Sequence, residues 1–218
     1  MAHISKEDQE YLKKEFSKMT NPVKLVFFTQ QFECEYCELT HELLNELSGN
    51  SDKIKVEIYE FVKDQEKVKQ YDIKRIPAIV VEGAKDYGIR FYGVPAGYEF
   101  STLVEDIIDV SNGTTNLSQE TKEELKKLTM PVHIQAFVTP TCPYCPHAVR
   151  MAHMMAMESE LVKGDMVEAT EFPQLSNKYF VSAVPKVVIN EKVEFEGALP
   201  EKNYLEKVME AEGTVMTP

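Results

Sequence analysis

The sequence is short of positive charge: 24 Lys and Arg stand against 36 Asp and Glu, a formal net charge of −12 over 218 residues. That balance excludes nucleic acid and anionic membrane surfaces as partners, since both call for basic patches. Long apolar runs are lacking too. No stretch reaches the ~20 residues that a membrane-spanning helix needs. The opening Met1-Ala2-His3-Ile4-Ser5-Lys6-Glu7-Asp8 has no apolar segment, so no secretory signal is expected. The closing Val215-Met216-Thr217-Pro218 carries no lipidation motif. The expected location is cytoplasmic. Cysteine is scarce as well: the four present form two Cys-x-x-Cys pairs, Cys34 with Cys37 and Cys142 with Cys145. In a cytosolic chain this pattern points to catalysis or metal binding rather than to structural staples. A bridge across so short a loop adds little stability through chain entropy. What is present is a soluble globular composition and enough length for two domains of ordinary size.

The stretch Phe137-Val138-Thr139-Pro140-Thr141-Cys142-Pro143-Tyr144-Cys145-Pro146 organises the chain. It reads as a buried strand, a turn, and a helix opening on the cysteine pair. Cys142 is expected at or just before the helix start. There, free backbone N–H groups and the helix dipole favour the thiolate, which is the nucleophile. Pro143 fits the first helical position, and Pro146 lies within the first turn, where its missing N–H costs little. Upstream, Leu25-Val26-Phe27-Phe28-Thr29 and then Cys34-Glu35-Tyr36-Cys37 repeat the arrangement.

Periodicity and breakers place the other elements. A helix capped by Ser5 runs to about Lys18. Then come a strand from Val23 to Thr29, a helix from Cys34 to Leu47, a strand from Lys53 to Glu60 and a helix from Lys63 to Tyr71. Strands from Ala78 to Glu82 and Arg90 to Tyr92 lead to a helix from Gly97 to about Val110. Ser111-Asn112-Gly113-Thr114-Thr115-Asn116 has linker composition. The order then repeats: a helix from Gln119 to Leu128, a strand from Val132 to Val138, a helix from Cys142 to about Leu161, a strand from Met166 to Thr170 and a helix from Pro173 to Tyr179. Strands from Lys186 to Ile189 and Val193 to Glu196 precede a helix from Glu201 to Glu210. Spacing repeats too, since 108 positions separate Cys34 from Cys142 and also Pro77 from Pro185. Val56-Glu57-Ile58-Tyr59-Glu60-Phe61 matches Val167-Glu168-Ala169-Thr170-Glu171-Phe172. A duplication is implied, with units at 1–116 and 117–218.

A β-α-β start followed by a hairpin and a helix implies a four-stranded mixed sheet with helices on both faces. With Cys-x-x-Cys beside it, this is the thioredoxin-like plan. The fold class is α/β: two tandem thioredoxin-like units, each a four-stranded mixed sheet flanked by helices. Cys142-Pro143-Tyr144-Cys145 is the glutaredoxin form of the motif. Two such units in one chain resemble the protein disulfide oxidoreductases of thermophilic archaea and bacteria. Pro131 to Pro146, Val149 to His153, Gly164 to Ala169 and Val193 to Gly197 carry the closest likeness. The resemblance implies reduction, oxidation and isomerisation of protein disulfides, without a bound cofactor. It implies protein substrates with thiols or disulfides, and electrons from a thioredoxin-reductase-like flavoprotein. It further implies that Pro77 and Pro185 are cis-prolines facing the motifs, and that the main chain of Ile76 and Val184 pairs with an extended substrate segment.

The chemistry needs two thiols within one turn. The Cys142 or Cys34 thiolate attacks a substrate disulfide, and Cys145 or Cys37 resolves the mixed disulfide. Glu33, Glu35 and Glu38 surround Cys34 and disfavour its thiolate, so the Cys142 site is expected to be the faster and more oxidising. The buried aspartate that thioredoxins place six residues before the first cysteine is Phe28 or Ala136 here. Glu57, Glu60, Glu168 and Glu171 are the candidate proton acceptors. Residues three apart on a strand face opposite sides, so one of each pair can approach the sulfurs. His133, His147 and His153 read as surface or packed side chains, and Met151, Met154 and Met155 as core. Lys186 is placed to meet a substrate carboxylate. No metal is expected. The alternatives are a dedicated electron carrier to a peroxidase, and a zinc-bound or thiol-inert interaction scaffold.

Overall fold

The computed structural model of the protein describes residues 4–212. In the first unit Ser5 caps α1 (Lys6–Phe16): its Oγ accepts the Asp8 N–H at 3.1 Å, and Leu12 and Phe16 turn inward. The apolar run of β1 (Val23–Thr29) is covered on both faces. β1 lies between β2 (Ile54–Glu60), parallel to it, and β3 (Ala78–Glu82), antiparallel; β4 (Asp86–Tyr92) follows antiparallel to β3. The other helices of this unit are α2 (Cys37–Ser48), α3 (Gln65–Gln70) and α4 (Glu99–Asn112). The last of these takes in Ser111 and Asn112 and ends on Gly113, whose φ of 65° suits a glycine cap.

The second unit repeats the plan. Ser118 caps α5 (Gln119–Leu125) by accepting the Thr121 N–H. β5 (Val132–Val138) lies between β6 (Val162–Glu168), parallel, and β7 (Lys186–Ile189), antiparallel, with β8 (Val193–Glu196) beyond. α6 (Cys145–Glu158), α7 (Pro173–Lys178) and α8 (Glu201–Glu212) complete it.

The two sheets do not stand apart. β4 pairs with β6 in parallel, from Ile89 opposite Gly164 to Tyr92 opposite Val167. The result is one eight-stranded sheet, β2-β1-β3-β4-β6-β5-β7-β8. The pairing closes the edge that each unit would otherwise leave open. Alternate strand residues enter different cores. Leu25 and Phe27 pack with Ile79, Phe91, Ile134 and Met155 on one face, and Val26 and Phe28 with Tyr92, Phe137 and Val167 on the other. Both cores therefore run through both units.

Across the seam, Arg150 on α6 pairs with Asp106 and Asp109 on α4 and reaches Glu105 at 3.1 Å. His153 Nδ1 lies 2.6 Å from Asp106 Oδ2. Asp106 and His153 are wholly buried, and such charge is tolerated where it is paired and hydrogen-bonded. The elements that differ most from expectation lie here. β4 starts at Asp86 rather than Arg90, β6 spans Val162–Glu168 rather than Met166 to Thr170, and α6 stops at Glu158 rather than near Leu161. Gly164 lies inside β6 and serves close packing, since a Cβ there would sit 2.8 Å from the Ala152 carbonyl oxygen of α6.

Candidate active site

The strand directions bring both cysteine motifs to one end of the sheet. β1, β4, β6 and β5 all run parallel, so the chain leaves β1 and β5 at the same end. β3 and β7 run the opposite way, so Pro77 and Pro185, just before them, lie at that end too. The Ile76–Pro77 and Val184–Pro185 bonds are both cis. Each proline carbonyl accepts an N–H from the glycine after the neighbouring strand, Gly93 at 3.0 Å and Gly197 at 2.8 Å. Cys142 Sγ lies 3.7 Å from the Val184 carbonyl oxygen.

Cys34 and Cys37 are joined as a disulfide, as are Cys142 and Cys145, each pair with Cα atoms 5.5 Å apart. The second cysteine, not the first, opens each helix. The expected starts at Cys34 and Cys142 are thus one turn early, and Pro146, not Pro143, occupies the first helical turn. The preceding residues form a turn closed by Cys145 N–H to the Cys142 carbonyl oxygen at 3.4 Å. The first sulfur still sits at the helix head, where N–H groups lack intrahelical partners. Cys37 and Cys145 are buried, and Cys34 is half-buried. Phe32, two residues before Cys34, and Tyr144, between Cys142 and Cys145, are exposed.

The four acids read from the sequence have different surroundings. Glu57 and Glu60 lie on β2, at the edge of the sheet. Glu57 faces Lys24 at 3.9 Å and accepts from the Tyr59 hydroxyl; Glu60 pairs with Lys63. Strand register corrects their matching. Glu60 opposes the last residue of β1 and Glu168 the last residue of β5, so Glu60, not Glu57, is the counterpart of Glu168. Glu168 and Glu171 lie at the seam. Glu168 Oε2 accepts from Thr170 Oγ1 and from the Glu171 N–H, while Oε1 is buried without a partner. Glu171 Oε1 accepts the Val94 N–H of the first unit at 2.7 Å, and its Oε2 is likewise buried and unpartnered. Burial, reinforced by Glu168 and Glu35, pushes the Glu171 carboxyl up to about 7.

Glu99 was not singled out by the sequence. It begins α4, where an acid reads as an ordinary complement to the helix dipole. Yet it is 1% exposed, one oxygen accepts from Thr102 Oγ1 at 2.8 Å, and the other has no partner. Burial pushes its carboxyl up to about 7. The preceding residue, Tyr98, donates its N–H to the Pro140 carbonyl, two residues before Cys142. No sequence signal reveals this acid, because a glutamate in the first turn of a helix reads the same whether it is exposed or buried.

Other candidates are engaged elsewhere. His147 Nε2 meets the Leu199 carbonyl at 2.8 Å, and His133 Nε2 meets Asp165 at 2.6 Å. Lys186 is buried with its Nζ 3.0 Å from Glu194, turned from the role of meeting a substrate carboxylate. Met151, Met154 and Met155 are core residues.

Comparison with known proteins agrees with this geometry. The thioredoxin domain family model matches twice, over residues 23–105 and 132–210. A protein disulfide oxidoreductase from Aeropyrum pernix superposes with a TM-score of 0.90 at 35% identity, covering 98% of this chain and 97% of that one. The N-terminal domain of the alkyl hydroperoxide reductase AhpF from Enterococcus faecalis gives 0.88 at 25% identity, covering 94% and 99%. The AhpF protein of Staphylococcus aureus is 30% identical over 119 residues, 54% of this chain and 23% of that protein. The chain spans about a quarter of the length of the curated relatives it matches.

Proposed function

The chain belongs to the thioredoxin-domain family, and on that premise we propose that it is a dithiol–disulfide oxidoreductase acting on proteins, with one redox centre in each of the units 1–116 and 117–218. The observation that carries this reading is the doubled site: two bonded Cys-x-x-Cys pairs at helix heads, at the same end of one sheet, on strands β1 and β5 with three strands between them. With the pairs reduced, the Cys34 or Cys142 thiolate attacks a client disulfide. One client sulfur leaves as a thiolate and takes a proton. Cys37 or Cys145 then loses its proton and attacks the mixed disulfide, releasing the second client thiolate. The client gains two electrons and two protons; the site loses the two electrons and, counting the proton released when the attacking thiol ionised, two protons. Run backwards, the same steps oxidise a client dithiol, and alternation between the directions gives isomerisation.

The main chain at Ile76-Pro77 and Val184-Pro185 is proposed to hold the client segment in extended form, supported by the 3.7 Å approach of Val184 to Cys142. Glu99 is proposed to take up the proton at the Cys142–Cys145 site. Its support is an unpartnered buried oxygen next to the contact with Pro140. Glu57 and Glu60 are weaker candidates, being drawn to Lys24 and Lys63. Electrons are proposed to come from a thioredoxin-reductase-like flavoprotein in the cytoplasm. Among the described residues, no helix is long and apolar enough to cross a membrane.

The test is reduction of an unfolded disulfide-bonded protein by single and paired Cys→Ser variants. Cys142→Ser should lose more activity than Cys34→Ser, and the double variant should lose all of it. Full activity in the double variant would reject the reading. The likeness to the alkyl hydroperoxide reductase AhpF favours a second reading, an electron carrier dedicated to one peroxidase. Reduction of several unrelated client proteins at comparable rates would count against it.

A further inference from the structure

Glu171 belongs to the second unit, yet its carboxylate packs against Gly93 and Val94 of the first. Gly93 lies against it: a Cβ at Gly93 would fall 2.9 Å from Glu171 Oε1 and 2.7 Å from Glu168 Cβ, and Gly93 has a φ of 95°. Val94 donates its N–H to Oε1. Gly93 donates its N–H to the carbonyl of Pro77 at 3.0 Å, at the end of the sheet where the Cys34–Cys37 motif lies; Tyr36 of that motif feels the Glu171 charge, and Glu171 feels that of Glu35. Behind it stand Glu168, which accepts the Glu171 N–H, and Phe172, whose ring lies 5.9 Å from the Arg75 guanidinium. Arg75 is the cation these contacts place nearby, and it faces the aromatic rings of Tyr92 and Phe172. Glu171 Oε2 and the Oε1 of Glu168, itself 2% exposed, are the orphaned atoms of this cluster. A cap for the Val94 N–H needs one oxygen. Two unpartnered carboxylate oxygens beside a redox motif exceed what packing requires. The interval of 108 that relates the two motifs places Lys63 where the first unit would carry the counterpart of Glu171, so the second site has no equivalent supplied by the first.

We infer that Glu171 is the positioning residue of the Cys34–Cys37 site, a carboxyl supplied across the seam whose charge governs the Cys34 thiolate. No bond forms at Glu171. Ionised, it adds like charge beside the motif and disfavours the thiolate; protonated, it does not. The inference rests on the oxidoreductase reading and adds to it a control of one site by the other unit.

Reciprocity makes this testable in the unmodified protein. With carbon-13 in the glutamate carboxyls, the Glu171 titration should move to higher pH when Cys34–Cys37 passes from disulfide to a dithiol whose Cys34 is ionised, and should stay put when only Cys142–Cys145 is reduced. A midpoint indifferent to Cys34–Cys37 overturns the inference. In the full-length Glu171→Gln variant, whose amide oxygen can still accept the Val94 N–H, Cys34 should alkylate about three- to tenfold faster than wild type at pH 8 and equally at pH 5.5. Cys142 should be unchanged at both. Equal profiles at Cys34, or equal changes at both cysteines, also overturn it. If Cys34 and Cys37 never interconvert between dithiol and disulfide, the oxidoreductase reading itself fails; if they do and Glu171 is indifferent, only this inference does.

Discussion

At the scale of single residues, the four cysteines were legible because the motif states its chemistry in the sequence: two thiols one turn apart at a helix head. The buried acids were not. Glu99 and Glu171 look like ordinary surface glutamates in the sequence, although the first is buried and the second packs against Gly93 and Val94 of the other unit. Glu99 gives a pH-dependent signature. Its carboxyl is pushed from an ordinary value up to about 7, so between those values the folded protein holds a proton that the unfolded chain has lost. Stability therefore falls as pH rises from about 4.5 to about 7, by on the order of 3 kcal/mol. Glu99→Gln removes this loss. Chemical denaturation should show the variant more stable than wild type at pH 8 and equal to it at pH 4. A difference independent of pH would mean that Glu99 does not titrate in that range. His133 gives the same sign for a different reason. Asp165 outweighs burial and holds the imidazolium above its ordinary range, so His133→Gln should cost stability at pH 5 and little at pH 9.

At the scale of elements, covered strands and the heads of α1, α5, α7 and α8 were legible, while the heads of the two motif helices and of α4 were not. The runs Val23 to Thr29 and Val132 to Val138 match the structure at both ends, because a fully covered strand is apolar throughout. The start of β6 was hidden by Gly164 and its charged neighbours, whose strand role comes from pairing with β4. The α4 head is held by a contact that the sequence does not show. Gly97 has a φ of 60°, and a Cβ there would fall well inside contact distance of the Pro140 carbonyl oxygen. Gly97→Ala should destabilise the protein by about 2–4 kcal/mol through strain and displaced backbone. Because Pro140 leads into Cys142, it should slow the second site more than the first. Site-resolved alkylation after mild denaturant titration checks both effects, and equal slowing at the two sites would refute the local account.

At the scale of the molecule, the duplication and the order of strands within each unit could be read from the repeat, but their union into one sheet could not. Sequence pattern specifies which face of a strand is apolar; it does not specify which edge meets which. The seam joins β4 to β6 and places Arg150 among Asp106, Asp109 and Glu105. Arg150→Ala leaves Asp106 buried without its cation and should cost about 3–5 kcal/mol. Hydrogen exchange should show the loss in both units together, since both cores cross the seam. Protection lost in one unit alone would contradict a shared core. The central claim is that both pairs are redox centres. It is tested most directly by counting thiols at each site, through alkylation and mass spectrometry, across a series of thiol–disulfide buffers. The account predicts two reversible two-electron transitions, with Cys142–Cys145 remaining oxidised only in the more oxidising buffers. Four thiols that stay reduced throughout, with zinc bound in stoichiometric amount, would contradict it.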